Sequence, residues 1–190
     1  MSDERPWYRE PESFIALAAV VVSISAVAVG LYEASLQRAH DRAEVWPHVE
    51  VGTFTTSTEA TVYIENTGVG PAVISSIVFT VDGKRRKNWD DLVTAWLEKG
   101  APDHFGRSTL LDHSLRAGVK VVVLVLPLNF IPSGFWTPGA ASYIGRLGVS
   151  VCYRSVFDQH WVMADQRLGG GKMTWTDVDR CPAQPDSSSF

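Results

Sequence analysis

The sequence predicts a mainly β protein: an immunoglobulin-like β-sandwich with one helical insertion, preceded by a single transmembrane helix. Three observations predict this class. Residues 13–32 contain no charged side chain. From His48 onward, apolar and polar residues alternate in short runs separated by glycine- and proline-rich turns, which is typical of antiparallel strands. Residues 88–99 instead repeat their apolar residues at helical spacing.

Composition limits the function classes. A chain of 190 residues has room for one ordinary domain and a membrane segment. The hydrophobic share of 45% excludes disorder throughout. A net charge of −4 is opposite in sign to the basic surplus of nucleic-acid binders, so we expect no nucleic-acid partner.

The uncharged run predicts a membrane anchor. After a short leader, residues 1–12, the twenty residues 13–32 would span about 30 Å as a helix, the hydrocarbon thickness of a bilayer. A cleaved signal peptide is the alternative, because residues 26–28 match a small-x-small cleavage site. The apolar run continues past that site to Leu31 and the leader is not markedly basic, which favours the anchor. Three aromatic residues suit the headgroup level: Trp7, Tyr8 and Tyr32.

Flanking charges do not set the orientation, because two arginines precede the run and two follow it. The short leader and the large C-terminal part favour a signal anchor with the β domain exported. Small residues on one face would let another helix approach closely, although nine of the twenty residues are small and such a stripe can arise by chance. The stripe consists of Ala16, Ala19, Ser23, Ala26 and Gly30.

The domain behind the anchor divides into elements in a simple order. Residues 33–47 are predicted to be a helical stalk that ends at Pro47. Residues 48–178 are predicted to form the sandwich. A dense turn signal follows the second strand, and its residues are Asn66, Gly68, Gly70 and Pro71. Residues 72–81 predict the third strand, and Asp82-Gly83 predicts a hairpin turn.

The second half of the domain contains both helical and strand patterns of apolar residues. Residues 88–99 predict a helix with an N-cap at Asn88, residues 119–126 a central strand buried on both faces, and residues 128–141 a loop. Residues 143–164 predict a long hairpin and residues 179–190 a flexible tail. Several aromatic residues are candidates for partner contact, with core packing as the alternative: Trp89, Trp96, Phe130, Phe135 and Trp136.

No motif predicts a cofactor, a metal or a catalytic centre. Residues 169–172 fail as a phosphate loop on spacing. The basic residues 84–87 could bind anionic lipid headgroups, or form a solvated hairpin end, which we favour. His104 and His113 would be candidates only if the fold gathers them with acids in a cleft. Cys152 and Cys181 can form a disulfide in an exported domain, or they can be two unrelated thiols.

The run Tyr63-Ile64-Glu65-Asn66-Thr67-Gly68-Val69-Gly70-Pro71-Ala72 and the lone N-terminal helix resemble uncharacterised bacterial single-pass membrane proteins. The later run Val151-Cys152-Tyr153-Arg154-Ser155, followed by Trp161, is similar too. The resemblance covers about half of the soluble domain. It implies a sandwich-like domain with an N-x-G-x-G-P-A turn, and it supplies no catalytic residues.

We therefore expect a membrane-anchored, non-enzymatic interaction or assembly protein. We expect it in a bacterial inner membrane, with the β domain in the periplasm. Its partners would be the bilayer and another membrane protein, or a second copy of itself through the transmembrane helix. The alternative is a membrane-tethered envelope hydrolase whose site is assembled from distant residues.

Overall fold

Two compact units make up the chain, Met1–Ala43 and Glu44–Phe190. A computed structural model describes residues 11–97, 100, 102–110, 112–131, 144–168, 170–184 and 190. In its described part the first unit is a single helix, and the second is mainly β. The mainly β class predicted from the sequence is confirmed.

Helix α1 (Pro11–Glu44) is continuous over 34 residues. Proline suits the first position of a helix, because an N–H there would have no helical acceptor. At about 1.5 Å per residue the helix is about 50 Å long, which exceeds the hydrocarbon thickness of a bilayer. With a mean hydropathy of 2.6 in its most apolar part, the helix is long and apolar enough to span a membrane.

The predicted stalk and stripe both lie on α1. The helix continues past Tyr32 and ends three residues before Pro47. The side chains of the stripe are exposed, and the Ser23 hydroxyl donates to the Ala19 carbonyl oxygen at 2.8 Å, which satisfies it within the helix. Packing of a second helix against the stripe stays a prediction.

Two antiparallel sheets enclose one apolar core in a sandwich-like domain. The first sheet contains, in spatial order, β1 (Val49–Thr55), β2 (Glu59–Asn66), β7 (Lys120–Pro127) and β5 (Gly106–Arg107). The second contains β10 (Thr174–Val178), β9 (His160–Asp165), β8 (Leu147–Arg154), β3 (Ala72–Val81) and β4 (Lys84–Arg85). A short strand, β6 (Ser114–Leu115), pairs with the start of β3.

Strand β3 and the hairpin turn after it have the predicted positions. Strand β3 spans residues 72–81, and the turn after it has φ of 53° at Asp82 and 75° at Gly83. Two successive positive φ values define the type I′ turn that matches the twist of a hairpin. The second predicted hairpin is present with different bounds, because β8 begins at Leu147 and β9 ends at Asp165. Arg154 pairs with His160 next to its turn.

Helix α2 (Trp89–Trp96) is confirmed together with its cap. The Asn88 side-chain oxygen accepts a hydrogen bond from the Asp91 N–H at 2.8 Å. The predicted apolar face is buried: Trp89, Leu92, Val93, Trp96 and Leu97. The idea that Trp89 and Trp96 form a partner surface is therefore wrong, because they are only 4% and 1% exposed.

Strand β7 differs from its prediction in burial. It lies inside its sheet, between β2 and β5, as expected. Only Val123, Leu124 and Leu126 are buried, whereas Val121 and Val125 are half-buried. The outer face of this sheet is not covered along β7, so the strand is not buried on both faces.

The prediction of a flexible tail over residues 179–190 needs correction at the residues that the structure describes, 179–184 and 190. The Gln184 side chain bonds both the N–H and the carbonyl oxygen of Ile77, at 2.9 and 3.0 Å. Phe190 is 1% exposed and packs against Phe79 and Trp89 in the core. This part of the chain is held in place because the apolar side chain of Phe190 belongs to the core. Strand β10, which precedes this segment, was not predicted.

The predicted loop at residues 128–141 is described only at its start. Leu128–Phe130 form one turn of 3-10 helix, and the half-buried Phe130 packs against the core. Phe135 and Trp136 lie outside the described residues.

Candidate interaction surface

The Asn66 side chain holds together the loops at one end of the sandwich. Its oxygen accepts hydrogen bonds from the backbone N–H groups of His48 and Gly68, each at 3.1 Å. Its amide nitrogen donates to the carbonyl oxygens of Gly70 and Leu115, at 2.7 and 2.9 Å. Asn66 is fully buried, so these four bonds satisfy an amide that could not otherwise be buried without cost.

The glycines of the predicted turn are required by close approach. A Cβ at Gly68 would lie within 3 Å of the backbone of Trp46 and His48, and one at Gly70 would overlap the carbonyl of Val45. Backbone atoms cannot rotate away as a side chain can. The N-x-G-x-G-P turn therefore fixes residues 45–48, the first residues of the β domain, against its second strand. Pro71 then leads into β3.

Four segments meet at this end, which we call the Asn66 end: residues 45–48, 66–71, 116–119 and 155–159. Asn66 reaches the first three through its own bonds and through the backbone bond from its N–H to the Val119 carbonyl oxygen. The fourth is the tip of the β8–β9 hairpin. Val73, near the start of β3, pairs with Ser114 on one side and with Arg154, the last residue of β8, on the other. The hairpin tip that follows Arg154 therefore lies at the same end of the sandwich.

Exposed apolar side chains concentrate at the Asn66 end. Among the described residues of the β domain, seven large apolar side chains are exposed, and five of them lie in these four segments, at 37% to 67% exposure. They are Trp46, Val69, Val119, Val156 and Phe157. Single exposed apolar residues are ordinary, but several on one end of a domain are typical of an interaction site.

The hairpin tip is a well-bonded turn. The Ser155 hydroxyl accepts hydrogen bonds from the N–H groups of Phe157 and Gln159, at 3.2 and 3.3 Å. Ser155 is buried, whereas Val156 and Phe157 are exposed. These hydrogen bonds already fix the backbone of the turn. Binding of a partner to its exposed apolar side chains would therefore cost little further conformational entropy.

Three aromatic rings border the same end. The His48 ring stacks on Trp175 with a centroid distance of 4.4 Å, and Trp46 lies 5.2 Å away on a tilted plane. The Trp175 indole N–H donates to the Val49 carbonyl oxygen at 2.9 Å, which joins the edge strands of the two sheets. The sequence analysis did not single out Trp175. The alternation in Thr174–Val178 was the only signal that could have found it.

Cys152 and Cys181 form a disulfide, and their sequence separation is 29. Cys152 is buried on β8, and Cys181 follows β10, so the bridge attaches the C-terminal segment to the middle of the second sheet. No free cysteine is left in the chain.

The structure does not gather the histidine candidates into a centre. His104 and His113 are both exposed, on the segment between α2 and β7. In the described part of the chain, no group of three or more His, Cys, Asp or Glu side chains is placed to hold a metal ion. Of the glycine-rich run at residues 169–172, the described Gly170 and Gly171 belong to the connection between β9 and β10.

No protein-family model matches the chain, and no curated protein matches it in sequence. The likeness to bacterial single-pass proteins stays a prediction, and the functional argument rests on the geometry of the Asn66 end.

Proposed function

We propose that this chain is a membrane-anchored, non-enzymatic interaction protein whose Asn66 end contacts another protein held in the same membrane. The observation that carries this proposal is the set of five exposed apolar side chains on four bonded loops at that end. Interface cores are enriched in aromatic residues, and Trp46 and Phe157 would supply the anchoring contacts.

Connectivity supports a partner in the membrane. Residue 45 follows directly from α1, so the Asn66 end is the end at which the chain enters the domain. The small-residue stripe on α1 would allow the partner's own helix to pack closely. A contact through both units would act as a bivalent attachment, in which the second contact forms at high effective concentration.

The disulfide supports an exported domain. Disulfides persist in oxidising compartments such as the bacterial periplasm and are rare in the cytosol. With α1 as a signal anchor, we propose a bacterial inner membrane location with the β domain on the periplasmic side.

Strand order supports an immunoglobulin-like assignment. The order β1-β2-β7-β5 corresponds to strands A-B-E-D of that fold, and β9-β8-β3-β4 corresponds to G-F-C-C′. Helix α2 then lies between C′ and D, and β10 extends the second sheet beyond G. The disulfide departs from the usual pattern, because Cys152 on strand F pairs with the C-terminal segment and not with strand B.

The partner contact is tested by site-specific photo-crosslinking in intact membranes. A photoreactive phenylalanine analogue at position 157 should give a crosslink to one membrane protein, and Val156→Glu should remove this crosslink. The matched control is the same analogue at Phe54, an exposed aromatic residue on β1 outside the Asn66 end. Equal crosslinking from both positions, or none from 157, would contradict the proposal.

Orientation is tested with a single new thiol. Ser57 is exposed in the turn between β1 and β2, and both native cysteines are bonded, so Ser57→Cys gives one reactive site. A membrane-impermeant maleimide should label it in spheroplasts. A thiol that reacts only after the inner membrane is permeabilised would place the domain in the cytoplasm.

A further inference from the structure

A polar cavity lies at the opposite end of the sandwich, which we call the Asp82 end. It has a volume of about 660 Å³, within the range of small-molecule sites. Three segments enclose it: the β3–β4 hairpin, the residues before β8 and those after β9. The lining residues are Thr80, Asp82, Gly83, Gly145, Arg146, Gln166 and Arg167.

An ion pair fixes one wall of the cavity. The Arg146 guanidinium binds the Asp82 carboxylate through three contacts, at 2.7, 3.0 and 3.1 Å. This pair joins the start of β8 to the β3–β4 turn, where the Asp82 N–H also donates to the Arg146 carbonyl oxygen. The Arg146 side chain is therefore held in place before any ligand arrives.

Positive charge exceeds negative charge around the cavity. The hydrogen bond from Arg146 lowers the pKa of Asp82, and the nearby charges of Arg86 and Lys84 lower it further. Asp82 is engaged by Arg146, and Arg86 lies 3.6 Å from Asp91. Within the described residues no carboxylate lies at ion-pair distance from Lys84, Arg85 or Arg167. Three cations are thus available at one end of a domain in a chain whose net charge is negative.

We propose that this cavity binds a ligand carrying a phosphate group. Arg167 is one of the lining residues. Its guanidinium would donate to phosphate oxygens, with Lys84 and Arg85 adding positive potential from the hairpin. The Thr80 hydroxyl and the Gln166 amide can bond the uncharged, hydroxyl-bearing part of the ligand. A phosphate matches this surplus of cations better than a single carboxylate, because it carries more charge and more acceptor oxygens.

The site is independent of the proposed interaction surface, because it lies at the other end of both sheets. Phosphate chemistry can come from a soluble phosphate ester or from a lipid headgroup. The experiment therefore uses both sources, and a tricarboxylate serves as an anion without phosphate.

The test is calorimetric titration of the full chain in non-ionic detergent. The probes are pyrophosphate, a short-chain phosphatidylglycerol below its micelle concentration, and citrate. We expect saturable binding of one or both phosphate probes, weaker binding of citrate, and a loss of about tenfold or more in Arg167→Gln, or about 1.4 kcal/mol. The matched control is Arg180→Gln, which removes one exposed positive charge after β10 and should leave binding unchanged.

The three probes and the two variants distinguish the possible outcomes. Binding of pyrophosphate assigns a soluble phosphate ester, and binding of the lipid probe alone assigns a headgroup. Absence of binding by both phosphate probes would overturn the proposal, as would citrate binding as tightly as they do. An equal loss in Arg167→Gln and Arg180→Gln would also overturn it, because it would show general charge attraction. Loss of crosslinking at position 157 would leave this result unaffected, so the two proposals fail separately.

Discussion

The Asn66 side chain donates a hydrogen bond to the carbonyl oxygen of Leu115, 49 residues further along the chain. Asn66 ends β2 in the first sheet, and Leu115 lies on β6, which pairs with β3 of the second. One amide thus joins the two sheets at the end where the chain enters the domain. Its other bonds, to His48 and Gly70, bind the first residues of the domain to the same point.

Replacing Asn66 by Ala should destabilise the β domain strongly. The substitution removes the acceptor of two part-buried N–H groups, those of His48 and Gly68, and the side-chain donor of two buried bonds to carbonyl oxygens, those of Gly70 and Leu115. Because each unsatisfied buried group costs about 1–3 kcal/mol, we expect a loss of at least about 2 kcal/mol. Urea unfolding of the full chain in detergent, followed by tryptophan fluorescence, measures it.

The adjacent Thr67→Ala is the control for that experiment. Thr67 is exposed and its hydroxyl makes one bond, to the His48 carbonyl oxygen at 3.2 Å, so its loss should cost less than about 1 kcal/mol. Equal unfolding midpoints for the two variants would show that the Asn66 amide does not organise this end.

A methyl group at Gly70 should be as damaging as the loss of Asn66. The Cβ of Gly70→Ala would overlap the Val45 carbonyl, and the backbone of residues 45–48 would have to move. We expect a destabilisation of about 2 kcal/mol or more, in the range of core overpacking. Gly170→Ala is the matched control, because a Cβ there meets no atom within 4 Å, and it should change stability by less than about 0.5 kcal/mol. Equal stability of the two variants would contradict the close approach.

Local chemistry explains what the sequence could predict. The turn at Asn66–Pro71, the cap at Asn88 and the type I′ turn at Asp82 each depend on the conformational preferences of a few adjacent residues. Such signals are readable without the fold. They located the residues of the Asn66 turn correctly but not their purpose, since two of the four partners of the Asn66 side chain lie 18 and 49 positions away.

Long-range packing explains what the sequence could not predict. The stacking of Trp175 on His48 joins residues 127 positions apart, and the burial of Phe190 depends on Phe79 and Trp89. The spacing of apolar residues along the sequence does not show which distant residues will be in contact. For the same reason the exposure of Val156 and Phe157 could not be distinguished from core packing until the hairpin was placed.

Removing the disulfide should destabilise the domain but leave it folded in the absence of denaturant. On the chain-entropy model, a closed loop of about 30 residues contributes about 3–4 kcal/mol. The substitution Cys181→Ser also loosens the attachment of Gln184, whose bonds to Ile77 lie three residues beyond the bridge. Guanidinium unfolding under non-reducing conditions should show a lower midpoint for this variant.

Thiol labelling of the same variant provides a second readout. Cys152 is buried, so in Cys181→Ser its thiol should react with maleimide only after denaturation. Rapid labelling of the native variant would mean that the C-terminal segment alone covers Cys152. An unchanged unfolding midpoint would contradict the stabilising role of the bridge.

Tyr153 should make the domain sensitive to alkali. Burial raises the pKa of Tyr153 to about 12, whereas an unfolded tyrosine titrates near 10. A group whose pKa is raised in the folded state contributes stability that is complete below the unfolded pKa and is lost as pH rises through the folded one. Stability should therefore fall between about pH 10 and pH 12.

Tyr153→Phe cannot ionise at this position, so its unfolding midpoint should change less over this pH range than that of the unsubstituted protein. Tyr63→Phe is the control. If the two midpoints fall in parallel, the alkaline loss of stability comes from other groups, and the Tyr153 phenol is not its source.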